Sequence, residues 1–225
     1  FQGYSLKAQT PIHKIKADLA VADDISVRID LLNQIGKAYR QINQDSALIF
    51  STLAFELSAQ SRHVEGMALA RENQAFIAYQ KGEISKSESF VKDFLFYARQ
   101  IDDPSHISAA ENALGNIAIR QENYGEALER YLKVLDIEKD REDQQRMAIT
   151  SMNIGSVFSE MGRDDQAIHY FEEAYRLATQ VGDSLTIAHA FNILGTVLEN
   201  NEKLDSARIY YQLAHEMLGD NSFYY

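Results

Sequence analysis

Six histidines are the side chains best suited to chemistry near neutral pH: His13, His63, His106, His169, His189 and His215. They lie far apart, and no two have the spacing that sets a pair of metal ligands on one helix face. His215-Glu216 begins like a zinc-helix motif, but the second histidine is missing. Acidic pairs stand at Asp164-Asp165 and Glu172-Glu173. Paired carboxylates can share acid and base roles, but these two sit inside a regular helical pattern, where a cap or a solvated face accounts for them. The chain has no cysteine, so it has no thiol nucleophile, thiolate metal site or disulfide framework. No glycine-rich phosphate loop is present. These residues point away from catalysis and imply no metal or cofactor.

The elements that would have to position such residues are themselves repeated. Ser151 to Ala174 reads as two helices around a turn. Ile154, Gly155 and Phe158 lie on one face of the first, and Ala167, Phe171 and Ala174 on one face of the second. Gly162 is placed to leave the first helix in a left-handed conformation, and the following aspartates to cap the second. The small residues Gly155 and Ala167 mark the expected close approach of the two backbones. Steps of forty residues carry Gly155 to Gly195, to Gly115 and to Ala75, and Gly36 lies thirty-nine before Ala75. Ala47, Ser87, Ala127, Ala167 and Ala207 keep the same step. So do Ala54, Phe94, Val134, Ala174 and Ala214, and Asp103, Asp143 and Asp183 echo it between units. Several positions sharing one period predict stacked helical hairpins.

The expected organisation follows. Residues 1–10 read as a remnant of a cleavable tag (Phe1-Gln2-Gly3) and a linker. The linker doubles as a candidate tail of an export signal, cleaved near Ala8-Gln9. Residues 11–23 read as a capping helix. One array fills 24–221, with units at about 25–62, 65–101, 105–139, 146–178 and 184–218, and 222–225 read as a truncated continuation. Lys139 to Arg146 reads as a charged connector or a helix extension. Aromatics crowd the second unit at Phe76, Tyr79, Phe90, Phe94, Phe96 and Tyr97. They read as an enlarged core, or alternatively as an exposed patch for a homodimer or a second partner. The formal net charge of −11 disfavours nucleic acid and anionic membranes as partners, and no apolar run is long enough to insert in a membrane.

These units resemble the tetratricopeptide repeat (TPR). Leu114-Gly115, Ile154-Gly155 and Leu194-Gly195 match its first-helix motif, and Tyr39 and Phe158 its following aromatic. Ala127-Tyr131-Val134, Ala167-Phe171-Ala174 and Ala207-Tyr211-Ala214 match its second helix. The usual unit of about 34 residues often ends in proline; here the unit is longer and that proline is missing. The resemblance implies an all-α fold, a right-handed superhelical solenoid of about five stacked antiparallel hairpins with an N-terminal capping helix. It also implies a concave side lined by first helices that takes a protein or peptide. On that side the family's inward positions fall on Asn33, Lys37, Arg40, Phe76, Tyr79, Asn112, Asn116, Met152, Ser156, His189, Asn192 and Thr196. Asparagine amides pair with a peptide backbone, and Phe76, Tyr79 and Met152 would anchor apolar side chains. A clamp for a terminal carboxylate, known in the family, is not expected, because Ile149, Met152 and Asn153 occupy its basic positions.

The entry stretch from Ile15 to Tyr39 is similar to the start of exported Bacteroidetes-type sensors. In those, an array precedes a membrane helix and a histidine kinase or DNA-binding module. That resemblance implies a non-catalytic sensory region of a two-component signal-transduction protein, extracytoplasmic rather than cytoplasmic. A free-standing scaffold or adaptor, or a cytoplasmic peptide-binding regulator, is the competing expectation.

Overall fold

In the computed structural model, backbone is described for residues 2–218 and side chains for residues 12–217. Phe1 of the expected tag remnant, the expected end of the array at 219–221 and the expected continuation at 222–225 lie outside the described residues. The described residues form eleven α-helices and no strand. Helix α1 runs over Gln2–Val21. Ten helices follow in sequence: α2 (Ile25–Tyr39) and α3 (Gln44–Ser61), α4 (Val64–Gln80) and α5 (Ile84–Gln100), α6 (Pro104–Arg120) and α7 (Tyr124–Asp140), α8 (Gln144–Glu160) and α9 (Asp164–Val181), and α10 (Ser184–Asn200) and α11 (Leu204–Leu218). The fold is all-α and built from antiparallel helix hairpins, as the forty-residue period requires.

Two boundaries differ from expectation. Helix α1 already includes the stretch read as a linker, because Leu6, Lys7, Ala8 and Gln9 are all strong helix formers. The charged stretch from Lys139 divides into the end of α7, a three-residue turn and the start of α8.

The chain forms two compact units, one up to Ile117 and one from Ala118. In the first, α1 packs on α2, α2 on α3, α3 on α4 and α4 on α5; α2 also touches α4. In the second, each helix from α7 to α11 packs on the next, and α8 touches α10. No amphipathic helix buries its stripe alone, so each leans on its sequence neighbours. The periodic positions are where this happens. Ala47, Ser87, Ala127, Ala167 and Ala207 are all buried, as are Ala54, Phe94, Val134, Ala174 and Ala214.

Gly155 and Gly195 make room for rings, whereas Gly36 makes room for the Ser51 hydroxyl. A Cβ on Gly155 would lie 2.6 Å from Cε1 of Phe171, and one on Gly195 would lie 2.6 Å from Cε1 of Tyr211. The expected approach of Gly155 and Ala167 is thus replaced by a ring laid over bare backbone. The second hairpin solves the same problem differently. Ala75 replaces the glycine, Val91 replaces the ring, and the Ser87 hydroxyl donates to the Ala75 carbonyl at 2.9 Å. Phe94 is fully buried beside them, and Tyr79, Phe90 and Tyr97 pack against the same cluster. Most of the aromatic crowd is therefore core, while Phe96 stands 59% exposed.

Eight turns between helices share one geometry. Their left-handed residues are Arg62, Gly82, Asp102, Glu122, Glu142, Gly162, Gly182 and Glu202, one every twenty positions. In each the left-handed residue's N–H and the next one's close the preceding helix, as where Gly162 donates to Ser159 O and Arg163 to Phe158 O, both at 2.9 Å. Gly162 does what its type implied. The aspartates after it do not: the cap position of α9 is Arg163, whose side chain makes no cap bond. Asp164 and Asp165 occupy the first turn, favoured there by the helix dipole. Glu122 and Glu142 hold left-handed backbone without glycine's freedom, which costs about 1 kcal/mol each. Glu122→Gly and Glu142→Gly are expected to raise stability by about 0.5–1 kcal/mol apiece, seen as a higher urea midpoint with an unchanged slope.

Candidate functional site

In the first unit, a polar ladder joins α2 to α4. Asn33 Nδ2 donates to Gly66 O at 3.1 Å, and Asn73 Nδ2 donates to Asn33 O at 3.2 Å. Arg40 Nε donates to Asn73 Oδ1 at 2.7 Å, and its Nη2 meets Glu72 Oε1 at 3.1 Å. The Arg40 guanidinium lies 5.0 Å from the centre of the Phe76 ring. Asn33 is only 4% exposed, which corrects its expected place on a binding face. Its amide is spent on holding two first helices in register. Lys37, one turn along α2, is exposed, while Arg40, Phe76 and Tyr79 are half-buried. Asn112 and Asn116 lie half-buried on α6.

In the second unit, Met152 is buried in the core with Ile154, Phe158 and Phe171, which corrects its expected role as an exposed anchor. An unbranched thioether fills such a gap readily. Ser156 is half-buried and its hydroxyl donates to Met152 O at 3.0 Å. On α10, His189 and Thr196 are exposed and Asn192 is half-buried. Thr196 donates to Asn192 O at 3.1 Å. The Tyr211 hydroxyl from α11 reaches Thr196 Oγ1 at 3.3 Å and donates to Glu199 Oε2 at 2.7 Å. The Thr196 bond pulls the phenol pKa down, but burial and the Glu199 carboxylate outweigh it and push it up.

The predicted residues thus fall into two sets, one in each unit. Lys37, Arg40, Phe76, Tyr79, Asn112 and Asn116 retain some surface in the first. Ser156, His189, Asn192 and Thr196 do so in the second. Asn73 and Gly66, on which the ladder depends, escaped the sequence reading, although Asn73 lies forty residues after Asn33 and eighty before Asn153. Arg71 escaped it too. Its guanidinium lies 3.7 Å from the centre of the Phe55 ring and 5.1 Å from that of Phe90, with Asp93 at 3.0 Å. It ties α4 to α3 and α5.

The recurring aspartates have a structural role. Asp183 Oδ1 accepts from the Thr186 amide at 3.1 Å and Asp143 Oδ1 from the Arg146 amide at 3.0 Å, each capping the helix it precedes. The Thr186 hydroxyl and amide hold the Asp183 carboxyl below its ordinary value. Asp103 accepts from the Ser105 and His106 amides and meets His106 Nδ1 at 2.6 Å. Among the described residues, no cluster of three or more histidine or carboxylate side chains is placed to hold a metal, and no helix is long and apolar enough to cross a membrane.

Comparison with known proteins agrees with this geometry. The tetratricopeptide repeat family matches residues 106–180 and 146–220, together just over half of the chain. No curated protein matches it. Among solved structures, BtubC (BKLC) from P. vanneervenii is similar with a TM-score of 0.79 at 15% identity, over 98% of this chain and 91% of that one. A signal transduction ATPase with numerous domains, with a tetratricopeptide repeat sensor, from Pyrococcus horikoshii gives 0.82 at 14% identity, over 96% of this chain and 34% of that one. A Rap protein complexed with competence and sporulation factor gives 0.71 at 14% identity, over 96% and 71%. At such identities the likeness speaks for the fold. Hairpin register, helix faces and family match together place this chain in the tetratricopeptide repeat family.

Proposed function

We propose that this array is the sensory or regulatory arm of a larger bacterial signal-transduction protein and binds an extended peptide or partner segment along its first helices. Tetratricopeptide repeats are protein-interaction arrays, and this chain is one. The observation that carries the finer reading is the face left on the first helices once the core is satisfied. In each unit it carries polar or basic groups with some surface, Lys37 and Arg40 in the first and His189, Asn192 and Thr196 in the second. Amides that both donate and accept suit a peptide backbone. A tetratricopeptide sensor in one structural neighbour and a bound signalling factor in another support the regulatory reading. The opening stretch supports an extracytoplasmic setting, with a kinase or DNA-binding module in the same parent protein. This region's own part is binding, without catalysis.

Peptides selected by phage display on the 225-residue chain provide the test. On a variant carrying Asn112→Ala, Asn116→Ala and Asn192→Ala, their affinity is expected to fall about tenfold or more, about 1.4 kcal/mol. Unchanged affinity would remove the first helices from the binding site.

A further inference from the structure

The outward faces of the second helices differ in one respect that the repeat pattern does not require. Two outward positions recur on every second helix. In the three middle hairpins they are mostly polar or charged: Ser89 and Asp93, Glu129 and Lys133, His169 and Glu173. Glu129 and Lys133 form a solvated ion pair at 2.6 Å. In the first and last hairpins the same positions hold Ile49 with Leu53 and Ile209 with Leu213. These four side chains are 59%, 45%, 59% and 37% exposed. The likeness of the two helices goes further. Asp45-Ser46-Ala47 opens α3 and Asp205-Ser206-Ala207 opens α11, while Glu56 and Glu216 follow the leucines at the same distance. By helical spacing, each apolar stripe has its aspartate and glutamate on the same flank.

From this we infer that α3 and α11 carry two equivalent docking faces, one in each unit, for an amphipathic helix of a partner protein with basic residues beside its apolar stripe. The apolar pair supplies buried area, and the acidic flank sets sign and orientation. Asp45 already shows the preference, since it holds Lys81 at 3.0 Å. Two other occupants fit less well. A further hairpin stacked on the array would not cover these positions, because His169 stays exposed although α10 and α11 follow it. A second copy pairing stripe to stripe would set Asp205 and Glu216 against the same acids, in a chain of net charge −11. These faces lie on second helices, so the inference stands apart from the reading of the first helices.

A labelled synthetic helix of roughly 20 residues, with leucine and isoleucine along one stripe and lysine beside it, is the probe. Fluorescence anisotropy against the full chain is expected to saturate at two peptides per chain. Leu53→Asp should remove one equivalent, Leu213→Asp the other, and both together all binding. The same helix with glutamate in place of lysine should bind about tenfold or more weaker. Both leucines point outward, so equal melting of the variants and the parent serves as the folding check. Three results would overturn the inference: no saturable binding, binding at one face only, or sedimentation showing a dimer of this chain that Leu213→Asp returns to monomer.

Discussion

Phe171→Ala is expected to lower stability by about 3–5 kcal/mol, the largest loss from any single side chain considered. The ring is fully buried in the second unit and lies over bare backbone at Gly155. Gly155→Ala should cost about 2–3 kcal/mol from the other direction. Its Cβ would meet three ring atoms at 2.6 to 3.0 Å, and a ring packed on all sides cannot swing away. The two effects share one space, which makes them separable from ordinary helix propensity. Alanine is the better helix former, so propensity alone predicts that Gly155→Ala stabilises. In the Phe171→Ala background the added methyl enters a cavity instead of a ring. The double variant should then be less destabilised than the sum of the single ones by about 1 kcal/mol or more. Urea unfolding of the four proteins measures this, and strict additivity would mean that the ring is not what excludes a side chain at 155.

The second large effect is expected at Asn73. This side chain is 2% exposed; it donates to the Asn33 carbonyl and accepts from Arg40. Asn73→Leu removes both bonds and leaves a buried carbonyl and a half-buried guanidinium without that partner. The expected loss is about 2–3 kcal/mol. Lys37→Ala, one helical turn from this ladder on an exposed position, should change stability by no more than about 0.5 kcal/mol. Native-state hydrogen exchange locates the loss: protection should fall in α2 and α4, with α8 to α10 keeping theirs. Equal loss in both units would show that the ladder is not a local register device.

The period of the chain was legible because it is written in buried small residues. Ala47, Ala127, Ala167 and Ala207 can be nothing larger where helices meet, and they mark the hairpins to within a few residues. What stayed hidden was the twenty-residue rhythm of the turns. A left-handed position announces itself as glycine at 82, 162 and 182, but at 62, 102, 122, 142 and 202 it holds a charged residue that looks like any solvated loop. The exposure of the candidate face was not legible. Helical phase put Asn33 and Met152 on the same line as Lys37 and Ser156. Whether a side chain on that line is spent on a neighbouring helix depends on long-range partners, and Gly66 and Asn73 give no local sign of being those partners. Arg71, held by rings from two other helices, is illegible for the same reason.

The turns repeat every twenty residues, but the direction of the chain does not. A first helix and the second helix after it run oppositely, so only positions forty apart are interchangeable. Changes in chain length should therefore be quantised. Losing or duplicating a block of forty residues, cut at any phase within the hairpins, rejoins each helix to its own equivalent and leaves every gly–ring and cap relation in step. A block of twenty would join equally well-formed turns yet exchange first-layer for second-layer faces. Homologous chains that differ in length by internal slippage should accordingly differ in multiples of the full unit, and single-residue length changes should gather at the turns, as the first turn already illustrates: Gly36 to Ala47 is one residue shorter than Gly155 to Ala167.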